Sequence, residues 1–149
     1  KNIPIVTTYA PLVMQSQPEI ARKYHVPEWK IQERQRAVAD KGRFEGTVKA
    51  AKAGVVIGFG TDAGSPVVGH DVVAPEMKFM VEIGVVSDAY AAIRSATSVA
   101  AGINRVADTL GTLQAGKRAD VIAVAGNPLQ DLDALSRVTI AFVDGRRLV

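Results

Sequence analysis

Two short apolar runs constrain the fold of this 149-residue chain more than any other feature: IPIVTT at Ile3–Thr8 and VVIGF at Val55–Phe59. Neither alternates polar with apolar residues, which is the pattern of a strand buried on both faces in a parallel sheet. Between them the composition turns helical. PEIARKYH and PEWKIQERQRAVAD each begin with Pro followed by Glu, as suits a first helical turn. A third helix is expected over Arg43–Ala53, where Phe44, Val48 and Ala51 share one face and Gly54 follows as a stop. Strand, helices, strand is a βαβ unit. Its crossover is expected to be right-handed, and ligands of such units gather beyond the carboxyl ends of the strands. TTYAP and GTDAGSP both fall there.

Downstream, Pro75 is expected to open a helix with Met77, Met80 and Val81 on one face. Ser87 reads as the N-cap of another running through Ile93, Gly84 separates the two, and TSVAAGINRV suggests a short third. The pattern changes near Leu110. LGTLQAGKRADVIAVAGNPLQ and RVTIAFVDGRRLV read as short strands joined by Gly, Asn-Pro and Asp-Gly turns, the last a strong hairpin signal. The expectation is an α/β chain in two units, residues 1–109 and a β-rich 110–149.

Several function classes are excluded early. A 48% hydrophobic and 22% charged composition is that of a globular domain able to bury a core. The absence of cysteine excludes disulfides, thiolate metal sites and a cysteine nucleophile, and agrees with a reducing, cytoplasmic compartment. The net charge of +3 is scattered rather than gathered into a stripe, so no nucleic-acid partner is expected. No apolar run approaches the roughly 20 residues that span a bilayer, and no signal-peptide pattern opens the chain, so no membrane partner is expected either. The chain enters its first apolar run without an initiator Met, as expected of the downstream part of a longer polypeptide.

GFGTDAGSP, Gly58–Pro66, sets one carboxylate, Asp62, in a glycine-rich turn after the second run. Ordinary turn chemistry would have Asp62 satisfy loop amides. GFGTDA also matches the G-x-G-x-x-A form of a dinucleotide fingerprint, but that fingerprint needs a helix opening inside the turn. Here GSPVVGHDVVAP intervenes, and no acidic residue follows a next parallel strand to hold a ribose. A third reading is catalytic: a carboxylate at the carboxyl end of a buried strand can bind a metal or accept a proton from an activated water. The chain has only two histidines, His25 and His70, and no H-x-H or H-E-x-x-H pair, so a metal site cannot be complete within it.

Taken together these segments resemble the metal-dependent amidohydrolases, in their imidazolonepropionase-like and Xaa-Pro dipeptidase (prolidase)-like branch. AAKAGVVIGFGTDAGSP resembles that family's last barrel strand, and EMKFMVEIGVVSDAYAAIRSATSVAA the helical segment after it. LGTLQAGKRADVIAVAGNPLQDLDAL is similar to its return to a small β-sandwich, and VTIAFVDGRRLV to its closing hairpin. The resemblance covers essentially the whole chain. It implies the last part of a (β/α)8 TIM barrel, strands 7 and 8 with their helices, plus the C-terminal strands of a composite β-sandwich. It implies one or two divalent metals, usually zinc. It also implies hydrolysis of an amide or cyclic amide C–N bond, with a Xaa-Pro dipeptide or an N-acyl amino acid as substrate.

Carried onto this sequence, the family's pattern makes Asp62 both metal ligand and proton shuttle, taking the proton of the attacking water and passing it to the leaving amine. His70, in the following loop, is a candidate substrate contact, against the alternative of a solvated loop histidine. Tyr9 is a second candidate, against packing under a loop, and Ser65 a third; His25, between helices, reads as a surface or packing residue. The family's H-x-H, its carboxylated lysine or glutamate and its two middle histidines have no counterpart here. The expected partners are therefore the rest of the barrel and further copies in a homo-oligomer. The contrasting reading is a catalytically incomplete structural or interaction module, and a nicotinamide-binding module is the third.

Overall fold

The computed structural model describes residues 3–149. The two apolar runs pair in parallel, as β1 (Ile5–Thr7) and β2 (Ile57–Phe59), in the register Ile5↔Ile57, Val6↔Gly58, Thr7↔Phe59. The pairing extends one step at its start, where Ile5 N donates to Val56 O at 2.9 Å. Glycine permits the close approach at the other end. A Cβ on Gly60 would lie 2.9 Å from Val6 Cγ1 and 3.0 Å from Thr7 O, and one on Gly58 would lie 2.6 Å from Ile103 Cδ1. Bulk at either position would push the strands, or the helix above them, apart.

Four helices connect the strands: α1 (Ala10–Gln15), α2 (Pro18–Lys23), α3 (Glu28–Ala39) and α4 (Glu45–Lys52). Helix α1 takes up the last two residues of TTYAP, a stretch the sequence placed only beyond the carboxyl end of the first strand. Pro11 sits in its first turn, where the missing N–H has no intrahelical acceptor to lose. The expected helix over Arg43–Ala53 divides into a 3₁₀ turn at Lys41–Phe44 and α4, and it ends as expected at Gly54, whose φ of 86° is left-handed.

Three further helices follow: α5 (Val73–Glu82), α6 (Ala89–Ala96) and α7 (Ser98–Ile103). Helix α5 starts two residues ahead of Pro75, and α6 is capped by Asp88 rather than Ser87. The Asp88 Oδ1 accepts from Ala91 N at 2.8 Å, while the Ser87 hydroxyl only donates to Asp88 Oδ2. Residues 110–120 are turns, so the β-rich segment begins at β3 (Val121–Val124) and continues through β4 (Val138–Val143) to β5 (Arg146–Arg147). These strands form an antiparallel sheet in the order β3-β4-β5, with a bulge between Ala123 and Val124. Asp144 and Gly145 close the last hairpin with φ of 52° and 74°, the two left-handed residues that a tight primed turn demands.

The core lies between the parallel pair and helices α1, α4, α5 and α6. Ile57, Met80 and Val85 pack there with Ile5, Tyr9, Val48 and Ala51, and Met77 and Ala92 meet Leu132, from a 3₁₀ turn at Leu132–Ser136 that docks on α5. No residue of β3, β4 or β5 is buried.

Candidate functional site

The segment 60–72, between β2 and α5, carries three of the four residues singled out in the sequence. Its backbone is held by its own hydrogen bonds: Ser65 N to Asp62 O at 3.2 Å, Val68 N to Ser65 O at 2.9 Å, and Gly64 N to Val68 O at 3.0 Å. Ala63 N donates to the Thr61 hydroxyl at 3.3 Å. Three residues take left-handed φ: Asp62 at 55°, Gly64 at 97° and Val67 at 75°. Gly64 does so freely and Asp62 at small cost, but a β-branched residue there is strained by an amount on the order of 1–3 kcal/mol. Burial holds Val67 in place. Val67 and Val68 are only 4% and 3% exposed and pack with Val72 against Ala10 and Met14 of α1. From the same helix Gln15 Nε2 donates to Pro66 O at 3.3 Å, and Arg34 Nε holds the other end of that amide at 3.1 Å.

The loop is thus clamped on one side and open on the other. Asp62 lies on the open side, three residues past the end of the stretch paired with β1. It is exposed, and its carboxylate makes no hydrogen bond or ion pair with the described residues. That is unlike a carboxylate spent on turn amides, which the Asp131 and Asp40 side chains of this chain do elsewhere. His70 shares the loop and is also exposed, whereas the Ser65 hydroxyl is buried without a partner.

Tyr9 stands apart from these three. Its ring lies 5.5 Å from both Phe44 and Phe79, edge-on to each, and its hydroxyl is buried without a partner. Burial pushes the phenol pKa up. This is the packing geometry of an aromatic cluster. His25 lies in the turn after α2, exposed, at a φ of 57°.

One residue that sequence reasoning passed over stands out. Glu76, on α5, is completely buried, and neither carboxylate oxygen completes a well-formed hydrogen bond. Burial pushes its pKa up to about 7, opposed by the nearby N–H groups of Tyr9 and Ala10 and the Thr7 hydroxyl. A signal was present: Glu76 interrupts the otherwise apolar stripe Val72, Glu76, Phe79, Ile83 along the helix.

A metal would find one suitable donor in Asp62, an unpaired carboxylate on a rigid loop. It would not find a set, because no group of three His, Asp or Glu side chains converges among the described residues. Two shallow surface depressions, one including Lys78, Ala89 and Leu132 and the other Glu33, Arg36 and Arg43, contain none of Asp62, Ser65 and His70. No helix among the described residues is long and apolar enough to cross a membrane.

The model of the amidohydrolase family matches residues 22–148. No curated protein matches the chain. Among solved structures, a Xaa-Pro dipeptidase with methionine bound in its active site is 34% identical, with 93% of this chain and 33% of that one covered and a TM-score of 0.64. A prolidase complexed with N-methylphosphonate-L-proline is 28% identical over 99% of this chain and 35% of its own, with a TM-score of 0.70. The ochratoxinase of A. niger is 31% identical over 97% and 31% respectively, with a TM-score of 0.66. The chain spans about a third of the length of these proteins. Its mixed α/β arrangement fits part of a TIM-barrel domain.

Proposed function

The chain belongs to the amidohydrolase family, and on that premise we propose that it is the C-terminal portion of a metal-dependent amidohydrolase acting on amide or cyclic amide C–N bonds. In this reading β1 and β2 are the seventh and eighth strands of a (β/α)8 barrel. Residues 110–149 are the C-terminal strands of a small β-sandwich. The likeness to a Xaa-Pro dipeptidase and to a prolidase supports a Xaa-Pro dipeptide as substrate, with an N-acyl amino acid next.

The observation that carries the proposal is the free, exposed carboxylate of Asp62 at the carboxyl end of a parallel strand, on a strained and clamped loop. A bound divalent cation, zinc in this reading, would polarise the scissile carbonyl and acidify a water. Asp62 would be one ligand; the others would come from the upstream part of the barrel. The chain's own chemistry is proton transfer. Asp62 accepts a proton as the water oxygen joins the carbonyl carbon, and it returns that proton to the nitrogen as the C–N bond breaks. His70, exposed on the same loop, would contact substrate. Ser65 and Tyr9 have buried hydroxyls, and either would need a small opening to do so.

The test is Asp62→Asn in the protein that contains this chain. Loss of a general acid–base group is expected to lower kcat by about 10²–10⁴-fold, with the circular dichroism spectrum and melting temperature retained. Full turnover in that variant would end the assignment.

A second reading rests on the lack of a converging donor set among the described residues and on the open sheet edges: a structural or interaction module that does no hydrolysis itself. Metal analysis and hydrolysis assays on the parent protein separate the two, since only the enzyme reading requires stoichiometric metal together with turnover.

A further inference from the structure

Taking Asp62 as the reacting carboxylate, we propose that Glu76 is a positioning residue. From beneath the open face it holds the β1–α1 corner, and through α1 it holds the loop that carries Asp62. The first link is the corner itself. Tyr9 precedes α1 and its side chain offers no cap, while Pro11 has no N–H. The N–H groups of Tyr9 and Ala10 find no backbone acceptor among the described residues. The buried carboxylate of Glu76 lies beside both N–H groups, short of a well-formed hydrogen bond to either, and the Thr7 hydroxyl, which donates to Gly58 O at 3.5 Å, stands near it at the end of β1. The second link is α1, where Ala10 and Met14 pack on Val67, Val68 and Val72, and Gln15 donates to the carbonyl of Pro66.

Cost points the same way. The helix face around Glu76 is apolar, built from Met77, Phe79 and Met80, and a Met or Leu would fill its place without desolvating an acid. An acid kept there at such cost answers a need for an acceptor at that point. A residue serving only to fill the core would be interchangeable with methionine.

The experiment is amide hydrogen exchange on the protein containing this chain, metal-free and without substrate, comparing Glu76→Met with Glu76→Gln. Methionine keeps the volume and removes the acceptor, and glutamine keeps an acceptor oxygen. The methionine variant is expected to exchange faster by about tenfold or more in residues 9–16 and 61–72, with β3, β4 and β5 unchanged, because an unsatisfied corner opens locally. The glutamine variant should stay near the parent protein. With activity in hand, kcat should fall in the methionine variant and recover in the glutamine one.

Unchanged exchange at 61–72 in the methionine variant, or an equal rise across β3, β4 and β5, overturns the inference. If methionine does not fold, the glutamine variant decides: parent-like protection at 9–16 and 61–72 supports an acceptor role, and loss there refutes it. Exchange is read without metal or turnover, so a protein that hydrolyses no C–N bond would end the amidohydrolase reading of Asp62 separately.

Discussion

A carboxyl that ionises only near neutrality ties folding to pH. Glu76 has an ordinary value of 4.5 when solvated, and burial raises it to about 7 in the folded chain. Between those values the folded state keeps a proton that the unfolded chain has released. Its contribution is therefore fully present below about pH 4.5, declines as pH rises toward 7, and is lost above, a change of roughly 3 kcal/mol. Tyr9 is the titratable group facing it from the residue before α1. On its own helix Lys78 and Glu82 are exposed and paired with Asp133 and Lys41. Melting temperatures are expected to fall from about pH 5 to about pH 8 in the parent chain and to stay much flatter in Glu76→Gln. Equal slopes in the two would show that Glu76 does not titrate there. Glu76 and Asp62 also mark how far single residues can be read from sequence. Asp62 was singled out because it follows an apolar run within a glycine turn. Glu76 was easily passed over, because one polar break in an apolar helix stripe is ordinary until packing shows which face is covered.

At the scale of elements, two glycines with different surroundings give opposite predictions. A methyl on Gly60 would meet the backbone carbonyl of Thr7 at 3.0 Å as well as Val6, and a backbone atom cannot swing aside. Gly60→Ala is expected to destabilise by about 1–3 kcal/mol. Gly46, inside α4, has nothing within 4 Å, and Gly46→Ala should stabilise by about 0.5–1 kcal/mol. Urea unfolding of both variants checks the pair; a neutral Gly60→Ala would mean that the two strands can separate without cost. The elements that sequence pattern located well are those with a local, redundant signal: the continuous apolar runs of β1 and β2, and the Asp144–Gly145 hairpin, whose backbone only such residues accept comfortably. Helix α1 escaped because six residues with Pro11 among them leave no period to detect. The N-cap slipped by one because Ser87 and Asp88 are both good caps, and only the reach of Asp88 to the Ala91 amide decides between them.

At the scale of the molecule, much apolar surface is left uncovered. The parallel sheet has two strands and so two open edges, and Ile3, Val6 and Val56 are 69%, 50% and 43% exposed beside it. Ile122 and Val143 are half exposed on the other sheet. Unpaired strand edges with apolar neighbours favour association. The 149-residue chain alone is expected to sediment as dimers or larger species, and on the proposed barrel reading a longer protein that supplies the neighbouring strands would not expose this surface. A stable monomer of the short chain would show that these faces need no cover. This is also why the candidate site was only partly legible: no donor set converges on Asp62 among the described residues, and in the proposed reading the residues that would complete its chemistry belong to elements outside this chain.

The register of β1 against β2 carries a consequence for how such a chain can vary in evolution. Thr7 and Phe59 stand side by side although four helices separate them in sequence. Whole turns could be gained or lost in α2, α3 or α4 without moving either strand end, so that stretch is where lineages are free to drift in length. The short path from Thr7 to Gln15 has no such freedom. One added residue there would turn Gln15 about 100° around its helix and take the Pro66 carbonyl out of its reach.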